Sequence, residues 1–486
     1  MLAWVLGIIL VFGGERADSS PSAEDQIDSI RNDSRDSTIE RILHVDRVIV
    51  IGNKVTKRRI IERELSLKPG DTIRSSMLLG VLQWDKNKLY NLRLFNTVSV
   101  RALDLTNDHI DLLVELTERW YIFPAPIFEL SDRNFNEWWN NYNHDLNRIN
   151  YGIRLYKNNF RGRNETLRLT AQFGFYTKFD LNYRIPNLDK KQKQGLSFGI
   201  DYNRPVNLAY YTDEHKLLFL HTEDRKVVRN SFGAGITYSY RKTFFETHSL
   251  SLNYRESHVL DTVLYLNPNY YNGSKVTQKW FSLSYSFNSE HRDVVLYPLK
   301  GYQFSGYISQ NGLYSTDDVN QLEINVTYAR HWPMGKNFFL SNFSSALWSS
   351  PKNQPYSMLN ALGYRSQLIR GYENYVIEGP NFILNKTTFK KKIFSRSWTL
   401  GSMPIEQFNY LPLAIYVKTF ADIGYVENYP YYNEKNINQL LSNKFLGGAG
   451  FGLDMVTTYD LVLRFEYTFT QQKPGGAFFF NVRKEF

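Results

Sequence analysis

From about residue 150 to residue 486, apolar and polar residues alternate along the chain with a period of two. Residues 166–175, 280–287 and 461–469 show the alternation most clearly. Segments of about ten alternating residues are long enough to cross a bilayer as tilted strands, whereas strands of soluble proteins average about 5–6 residues. The pattern predicts about 16 strands, an even number that is typical of bacterial outer-membrane barrels. We expect the first strand near Asn150–Phe160, the fifth near residue 215 and the last at Ala477–Phe486.

A different pattern occupies residues 43–118 and predicts a small α+β domain. His44–Ile51 is rich in β-branched residues and ends at a Gly-Asn turn, as a strand would. Apolar residues then recur at helical spacing over Thr56–Leu67 and again over Ile73–Leu92. Two short strands, Thr97–Leu103 and His109–Leu116, complete a β-α-α-β-β order. Residues 119–149 are expected to form a connector to the long alternating region.

The N-terminal segment has the features of an export signal. Leu2–Phe12 is an apolar run that is too short to span a membrane as a helix and suits a signal-peptide core. We therefore expect a signal peptide over residues 1–19. Residues 20–42 are polar and mostly acidic, which predicts a solvated linker. The expected order is signal peptide, linker, α+β domain, connector, and barrel over residues 150–486.

Composition narrows the class of protein. The chain has 16% aromatic residues but only 42% hydrophobic residues, so it suits neither a helical membrane protein nor a disordered one. It contains no cysteine, which excludes disulfides, thiolate metal sites and a cysteine nucleophile. The net charge is 58 − 48 = +10, and the basic residues are spread over turns such as 190–193. Basic rims of a barrel meet lipid phosphates, so we expect no nucleic-acid partner.

The sequence motifs that could suggest catalysis or cofactor binding lack the structural setting or the spacing that those functions require. Residues 195–199 match G-x-S-x-G but lie inside an alternating strand, not at the strand–turn–helix junction that a nucleophile requires. The histidines, such as His215 and His258, lack metal-ligand spacing and are expected at the surface or in the lumen. Residues 447–452 are rich in glycine without a nucleotide-binding spacing, and we expect them to give a strand low bulk. We predict no enzyme activity, no cofactor and no metal.

The α+β region resembles a POTRA module, the periplasmic domain of outer-membrane assembly proteins. The residues that carry the resemblance lie at a turn after the first strand, at the turn between the helices and at the start of the second strand. They are Gly52, Asn53, Pro69, Gly70, Leu94 and Phe95. Such modules take up extended chains by adding them as a strand to an exposed sheet edge. The resemblance implies the same role here.

A second set of residues resembles the BamA/TamA and two-partner-secretion superfamily, also called the bacterial surface antigen family. Ile369-Arg370-Gly371-Tyr372 lies in the long connection between the expected eleventh and twelfth strands, and Phe420-Ala421-Asp422-Ile423-Gly424 lies in the thirteenth. In that family an Arg-Gly-aromatic tip on the sixth outer loop folds back into the barrel and meets the Asp of the later motif. The resemblance therefore implies a loop-to-barrel brace formed by Arg370, Gly371, Tyr372, Phe420, Asp422 and Gly424. The single POTRA module resembles members from Bacteroidota.

Two further observations bear on the resemblance. The chain ends in an alternating aromatic strand that resembles the recognition signal of outer-membrane barrels, with Phe478, Phe480, Val482 and Phe486 as its residues. Lys390–Lys392, on the expected twelfth strand, stand where the family pattern leads us to expect an arginine.

The resemblance implies an all-β transmembrane barrel of about 16 antiparallel strands, preceded by one POTRA domain in the periplasm. The implied function is insertion or export of polypeptides through a lateral seam of the barrel. Implied partners are outer-membrane lipids and lipopolysaccharide, unfolded outer-membrane or secreted polypeptides, and accessory lipoproteins. A dedicated two-partner-type secretion pore and a passive outer-membrane channel remain open as alternatives. A barrel enzyme such as a phospholipase is a third alternative, and it would need a Ser/His pair at the lipid edge that the sequence does not display.

Overall fold

A computed structural model describes the chain from residue 40 to residue 484. Its described segments are 40–104, 108–130, 146, 149–189, 191–221, 226–271, 275–359, 361–363, 367–399, 409–457 and 461–484. The expected signal peptide, nearly all of the expected linker, and Phe486 lie outside these residues. Among the described residues, no helix is both long and apolar enough to cross a membrane.

The N-terminal domain is a four-stranded sheet covered by two helices. Its elements are β1 (Ile42–Ile51), α1 (Arg58–Glu62), β2 (Thr72–Arg74), α2 (Ser75–Asn91), β3 (Phe95–Asp104) and β4 (His109–Glu118). The sheet order is β2-β1-β4-β3, with β1 and β4 parallel. The apolar faces of both helices pack on the sheet around Ile61, Leu89 and Phe95, which are fully buried. The short strand β2 was not expected from the sequence, and the first helix is shorter than predicted.

The remainder of the chain forms a 16-stranded antiparallel sheet in which neighbours in sequence are hydrogen-bonded neighbours in space. Its strands are β5 (Ile122–Leu130), β6 (Ile149–Phe160), β7 (Glu165–Gly174), β8 (Tyr176–Ile185), β9 (Gln194–Pro205), β12 (Arg229–Arg241), β13 (Glu246–Val259), β14 (Thr277–Glu290), β15 (Gly301–Asn311), β16 (Gln321–Gly335), β17 (Phe338–Ser350), β20 (Phe382–Thr399), β21 (Tyr410–Val426), β22 (Phe445–Thr457), β23 (Leu461–Thr470) and β24 (Ala477–Lys484). The expected number of strands is confirmed.

One strand of the sheet was not expected, and one expected strand does not belong to the sheet. Ile122–Leu130, assigned to a connector, is the first strand of the sheet and pairs with β6. The expected fifth strand near residue 215 instead belongs to a separate hairpin, β10 (Asn207–Asp213) and β11 (Lys216–His221). The hairpin alternates like the other strands but lies between β9 and β12 without joining the sheet.

The period-two alternation separates an inner face from an outer face. Along β21, the even-numbered residues from Tyr416 to Val426 are buried, whereas odd-numbered residues such as Val417 and Ile423 are exposed. Large apolar side chains recur on the outer face of the sheet, among them Ile383 and Phe451. An apolar outer face and a polar inner face are what a lipid-embedded wall requires.

The connections between strands alternate between the two ends of the barrel. The N-terminal domain docks at one end, here called the near end, where the connections range from two residues, 336–337, to ten, 291–300. The opposite, far end carries longer loops that contain β10–β11, α3 (Asp261–Leu266) and α4 (Pro430–Lys435). The long loop, residues 351–381, also lies at the far end and contains the two-residue strands β18 (Ala361–Leu362) and β19 (Ile377–Glu378).

The N-terminal domain is fixed to the near-end turns by polar contacts. Glu64 accepts two hydrogen bonds from Arg241, at 2.6 and 2.9 Å, and its carboxylate is almost completely buried. The Nδ2 of Asn159 donates to the hydroxyl of Thr56 at 2.8 Å. Charge-assisted hydrogen bonds are stronger than neutral ones, and removing one partner of a buried pair leaves the other charge uncompensated, so these contacts favour one position of the domain against the barrel.

Candidate functional site

The tip of the long loop folds back into the barrel interior. Ile369 and Tyr372 are 1% and 2% exposed. They pack in one apolar cluster with wall residues of β17, β20, β21 and β22, including Leu384, Val426 and Leu446. The loop therefore lies against the inner wall on the side of the barrel that β20–β22 form.

Arg370 makes the main polar contact of the tip. Its Nη2 and Nε donate to the two carboxylate oxygens of Asp422 at 2.5 and 2.8 Å, and its backbone N–H donates to Oδ2 of the same carboxylate at 3.0 Å. The Asp422 side chain is 0% exposed and that of Arg370 is 11% exposed. The ring of Phe420 lies 3.8 Å from the guanidinium carbon. A bidentate pair in a poorly solvated site resists separation, because each partner would leave a buried charge unpaired.

Glycines allow the tip to approach the wall closely. Gly371 has a φ of +93°, which side-chain-bearing residues rarely adopt, and a Cβ there would lie 2.2 Å from a methyl group of Thr470. A Cβ on Gly424 would lie 2.7 Å from Ile369, and one on Gly448 would lie 2.1 Å from the carbonyl oxygen of Arg370. Within the low-bulk segment expected over residues 447–452, Gly448 thus faces the loop. The structure brings all six predicted brace residues into this one region, and their functional role stays a prediction.

A group of interior charges next to the tip was missed in the sequence. Lys418 bridges two carboxylates, since its Nζ lies 2.5 Å from Asp454 and 2.7 Å from Glu466. Glu466 also lies 3.6 Å from Arg370. These residues sit on β21, β22 and β23 at even-numbered, inward-facing positions. The alternation could have placed them inside the barrel, but no local motif links residues so far apart in sequence.

Lys390 and Lys391, which stand where the family pattern leads us to expect an arginine, lie on opposite faces of the wall. Lys390 is 8% exposed and lies over the ring of Tyr297, with Nζ 4.3 Å from the ring centroid. Lys391 points to the other face and lies over Phe338 at 4.9 Å. Of these two lysines, Lys390 contributes to the interior cluster, through an aromatic contact.

The other predicted site residues lie apart from this region. In the N-terminal domain Gly52 follows the core of β1 with a φ of +92°, and a Cβ there would lie 1.9 Å from the carbonyl oxygen of Leu116. Asn53 donates to the carbonyl of Thr56 at 3.1 Å, and Pro69-Gly70 forms the turn before β2. Leu94 and Phe95 are core residues. Phe478 and Phe480 are 62% and 47% exposed on the outer face of β24, which also contains Val482.

The far-end loops form a buried polar network. Glu378 in the long loop accepts hydrogen bonds from Thr212 at 3.0 Å and from Tyr432 at 2.8 Å. His215, at the tip of the β10–β11 hairpin, accepts a hydrogen bond from the backbone N–H of Leu441 through Nε2. Burial lowers the pKa of His215 to about 4. His215 is 1% exposed, so the expectation of a surface or lumen histidine was wrong for this residue.

A cavity of about 610 Å³ lies between the N-terminal domain and the near end of the barrel. Its lining includes two glutamates, Glu64 and Glu290, against eight basic residues. The basic residues are Arg63, Lys88, Arg93, Arg119, Arg184, Lys193, Arg241 and Arg292. Burial, with repulsion from Arg241, lowers the pKa of Arg63 to about 10. The cavity therefore presents an excess of positive charge.

The described residues contain no group of three or more metal-binding side chains that could hold an ion. Ser197 of the G-x-S-x-G match lies within β9, where it is paired with Thr237 of β12. Its position in a regular ladder differs from the exposed turn that a nucleophilic serine occupies.

Two protein-family models match this chain and show the family to which it belongs. A model described as the Omp85 superfamily domain matches residues 159–486. The chain belongs to the Omp85 superfamily. A second model, described as the surface antigen variable number repeat of the POTRA type, matches residues 43–119. The resemblance found from the Arg370 and Gly52 regions is thereby confirmed at the level of the family.

Solved structures support the same fold. BamA from Haemophilus ducreyi, crystallised without POTRA domains 1–3, is similar with a TM-score of 0.52 at 16% identity, covering 90% of this chain and 84% of that chain. CdiB from Escherichia coli is similar with a TM-score of 0.53 at 12% identity, covering 90% and 75%. A search of curated proteins gave no match. The expected fold, a transmembrane β-barrel of 16 antiparallel strands preceded by a small α+β domain, is confirmed.

Membership of this superfamily places the protein in the bacterial outer membrane and supports a role in the insertion or secretion of polypeptides there. It is also consistent with a protein that catalyses no covalent reaction.

Proposed function

We propose that the protein inserts or exports polypeptides through a lateral seam between β5 and β24, and that its POTRA domain receives these clients in the periplasm. The proposal rests mainly on how the two end strands of the sheet are paired. Among the described residues, the sheet order ends at β5 on one side and β24 on the other, and each is paired only with its inner neighbour. The described parts of the two strands are Ile122–Leu130 and Ala477–Lys484.

Two prolines weaken the outer edge of β5. The backbone N–H of Asn158 donates to the carbonyl of Tyr121, so odd-numbered residues of this segment direct their backbone groups to β6. Even-numbered residues then direct theirs to the seam, because the direction alternates along an antiparallel strand. Pro124 and Pro126 are both even-numbered and have no N–H to donate. The seam edge of β5 therefore lacks two consecutive donors, and a full ladder with β24 cannot form there.

An incompletely paired edge is a template for an incoming strand. Folding of the client would supply the free energy, since pairing satisfies backbone groups that have no water to bind in the membrane. In the POTRA sheet, β3 is likewise a terminal strand along its ten residues. The basic cavity between this sheet and the barrel favours clients, or client segments, that carry negative charge.

The outer face of the barrel, with its exposed aromatic and aliphatic side chains, would contact lipid and lipopolysaccharide. Accessory lipoproteins remain a predicted class of partner. A passive channel is disfavoured because the long loop and its charged contacts occupy part of the interior, and single-channel conductance of the purified protein tests this alternative.

The seam can be tested with disulfides because the chain has no cysteine of its own. A cysteine replacing Ala125 in β5 is combined in turn with cysteines at positions 478–482 of β24, and the pair that crosslinks most completely is kept. Phe465→Cys with Phe480→Cys, which joins the registered partners of β23 and β24, is the matched control. Each variant is expressed in the native host while the chromosomal copy is depleted.

Quantitative proteomics of the outer membrane and the medium provides the measurement. We expect the oxidised seam pair to lose client proteins and reductant to restore them, whereas the control pair supports the host in both states. Full client levels with the seam locked would refute lateral insertion. Broad loss of unrelated barrels identifies a general insertase, and loss of one or two exported proteins identifies a dedicated secretion pore.

A further inference from the structure

The near-end turn between β14 and β15, residues 291–300, has a rigid internal structure. Asp293 organises it, because Oδ1 accepts hydrogen bonds from the backbone N–H groups of Val294, Leu299 and Lys300 at 2.8, 3.1 and 3.2 Å. The backbone N–H of Asp293 also donates to the carbonyl of Lys300 at 3.0 Å. A turn closed in this way moves as a unit, so a force on one side reaches the other.

One side of this turn enters the barrel interior. Tyr297 is 6% exposed, its ring centroid lies 4.8 Å from that of Tyr416, and its hydroxyl donates to Oδ2 of Asp454 at 2.8 Å. Val462 completes the buried apolar cluster around it. Lys390 also lies over the ring. The turn is thus held by the same inner wall that holds the tip of the long loop.

The two insertions are joined by buried charges. Asp454, which binds Tyr297, also binds Lys418 at 2.5 Å; Lys418 binds Glu466 at 2.7 Å; and Glu466 lies 3.6 Å from Arg370. Each of the three intermediate side chains is at most 5% exposed. In such a weakly screened interior, moving one member changes the position that its neighbours prefer.

The other side of the turn is held by the POTRA domain. Asn91, the last residue of α2, donates from Nδ2 to the carbonyl of Asp293 at 3.0 Å. Its Oδ1 accepts from the backbone N–H of Val295 at 3.3 Å. The Asn91 side chain therefore binds the turn through both its donor and its acceptor. It links the POTRA domain to the turn that reaches the interior cluster.

We infer that the 291–300 turn couples two contacts: the docking of the POTRA domain on the barrel, and the binding of the Arg370 tip to the inner wall. A POTRA domain that shifts on its client would pull Asn91 from the turn, loosen Tyr297 from Asp454 and weaken the charge cluster that supports the tip. Release of the tip would in turn loosen the POTRA domain, because coupling between two sites is reciprocal. This inference does not depend on the lateral seam and can be tested without a client.

Thr468→Cys provides a reporter of the tip. Thr468 is 1% exposed, its hydroxyl has no hydrogen-bond partner among the described residues, and a Cβ on Gly371 would lie 2.8 Å from its methyl group. A cysteine there is covered while the tip is seated and becomes accessible to maleimide when the tip leaves. Labelling is measured on the full-length protein in outer-membrane vesicles, and Arg370→Ala in the same background sets the rate for an unseated tip.

Asn91→Ala and Tyr297→Phe should each accelerate labelling of this reporter by about fivefold to tenfold, as a coupling of moderate strength implies. The two changes together should be less than additive, since they break the same connection. Asn87→Ala is the matched control, because Asn87 lies one turn earlier on α2 and its hydrogen bond is to Gln83 on the same helix. Its labelling rate should equal that of the reporter alone.

A second reporter, placed on the turn, distinguishes coupling between the two sites from local damage at one of them. Val295→Cys reports on the turn, and Arg370→Ala should accelerate its labelling by a factor similar to that seen in the opposite direction. Only variants that retain a heat-modifiable barrel on gels are compared. Labelling at the control rate in both Asn91→Ala and Tyr297→Phe would overturn the inference, as would a change at one end without a change at the other.

Discussion

Replacement of Asp422 by asparagine tests the brace most directly, because it removes one charge and keeps the shape of the side chain. Arg370 would then retain its position in the interior but lose the carboxylate that accepts three of its hydrogen bonds. Breaking a buried pair on one side costs about 3–5 kcal/mol. Glu466, 3.6 Å from the guanidinium, offsets part of this loss, so we expect a value of about 3 kcal/mol, at the lower end of that range.

A cost of about 3 kcal/mol raises the fraction of molecules with an unseated tip by roughly 100-fold, at 1.4 kcal/mol for each factor of ten. Trypsin reports this fraction, since it cleaves after Arg370 only when the tip has left the wall, and cleavage of a transiently open state follows its population. The fragment ending at Arg370 is followed by mass spectrometry in detergent-solubilised protein. We expect the fragment to form far faster in Asp422→Asn than in the wild type.

Asp180→Asn is the matched control. Asp180 pairs with Arg168 at 2.9 Å, but Arg168 is 44% exposed, so loss of this pair should cost less than about 1 kcal/mol. Cleavage after Arg370 should then occur at the wild-type rate. If Asp422→Asn is cleaved no faster than Asp180→Asn, the Arg370–Asp422 pair does not hold the loop and the reasoning is wrong.

Three further changes have defined outcomes. Gly448→Ala should expel the tip, because its Cβ would lie 2.1 Å from a loop carbonyl, and trypsin cleavage should distinguish it from Gly447→Ala, where no atom lies within 4 Å. Burial lowers the pKa of His215 from 6.5 to about 4. As the pH falls from about 6.5 to about 4, the unfolded form takes up a proton that the folded form does not, and the folded state loses up to about 3 kcal/mol of stability. Protease resistance of the far-end loops should fall over this range in the wild type and stay constant in His215→Gln. Glu64→Gln should weaken the contact between the POTRA domain and the barrel by about 2–3 kcal/mol, and faster hydrogen exchange in α1 should report this. Glu62→Gln is the control, because it removes only an exposed ion pair and should leave the exchange rate unchanged.

The sequence predicted those parts of the structure that are encoded locally. Arg370 and Asp422 were found because each lies in a short motif with a characteristic glycine beside it. The wall was found because a strand with one face to lipid and one to the lumen must alternate at every second residue. The alternation depends only on neighbours in sequence, whereas the pairing of Arg370 with Asp422 was implied by the resemblance to the family and by the place of each motif along the chain.

The parts that were missed depend on contacts between distant segments. β5 contains two prolines, so it resembled a connector until its pairing with β6 was seen. The β10–β11 hairpin alternates like a wall strand but is held by loops on the far side, through Asn438 and Glu378. Tyr297 lies in an ordinary turn and acquires its role only because Asp454, 157 positions later, lies opposite it.

The distribution of contacts around the wall allows the proposed brace and the proposed seam to lie in different parts of the same barrel. β20 and β21 are the longest strands, with 18 and 17 residues, and with β22 and β23 they carry the interior charges that hold the long loop and the 291–300 turn. β24 comes directly after this group and contributes none of the ion pairs in the cluster among the residues described. On the other side of the seam, Pro124 and Pro126 remove donors from β5. In the proposed mechanism, an incoming strand would displace the pairing at β24 without breaking the Arg370–Asp422 pair, so the proposed brace would keep the rest of the wall in register while the seam exchanges partners.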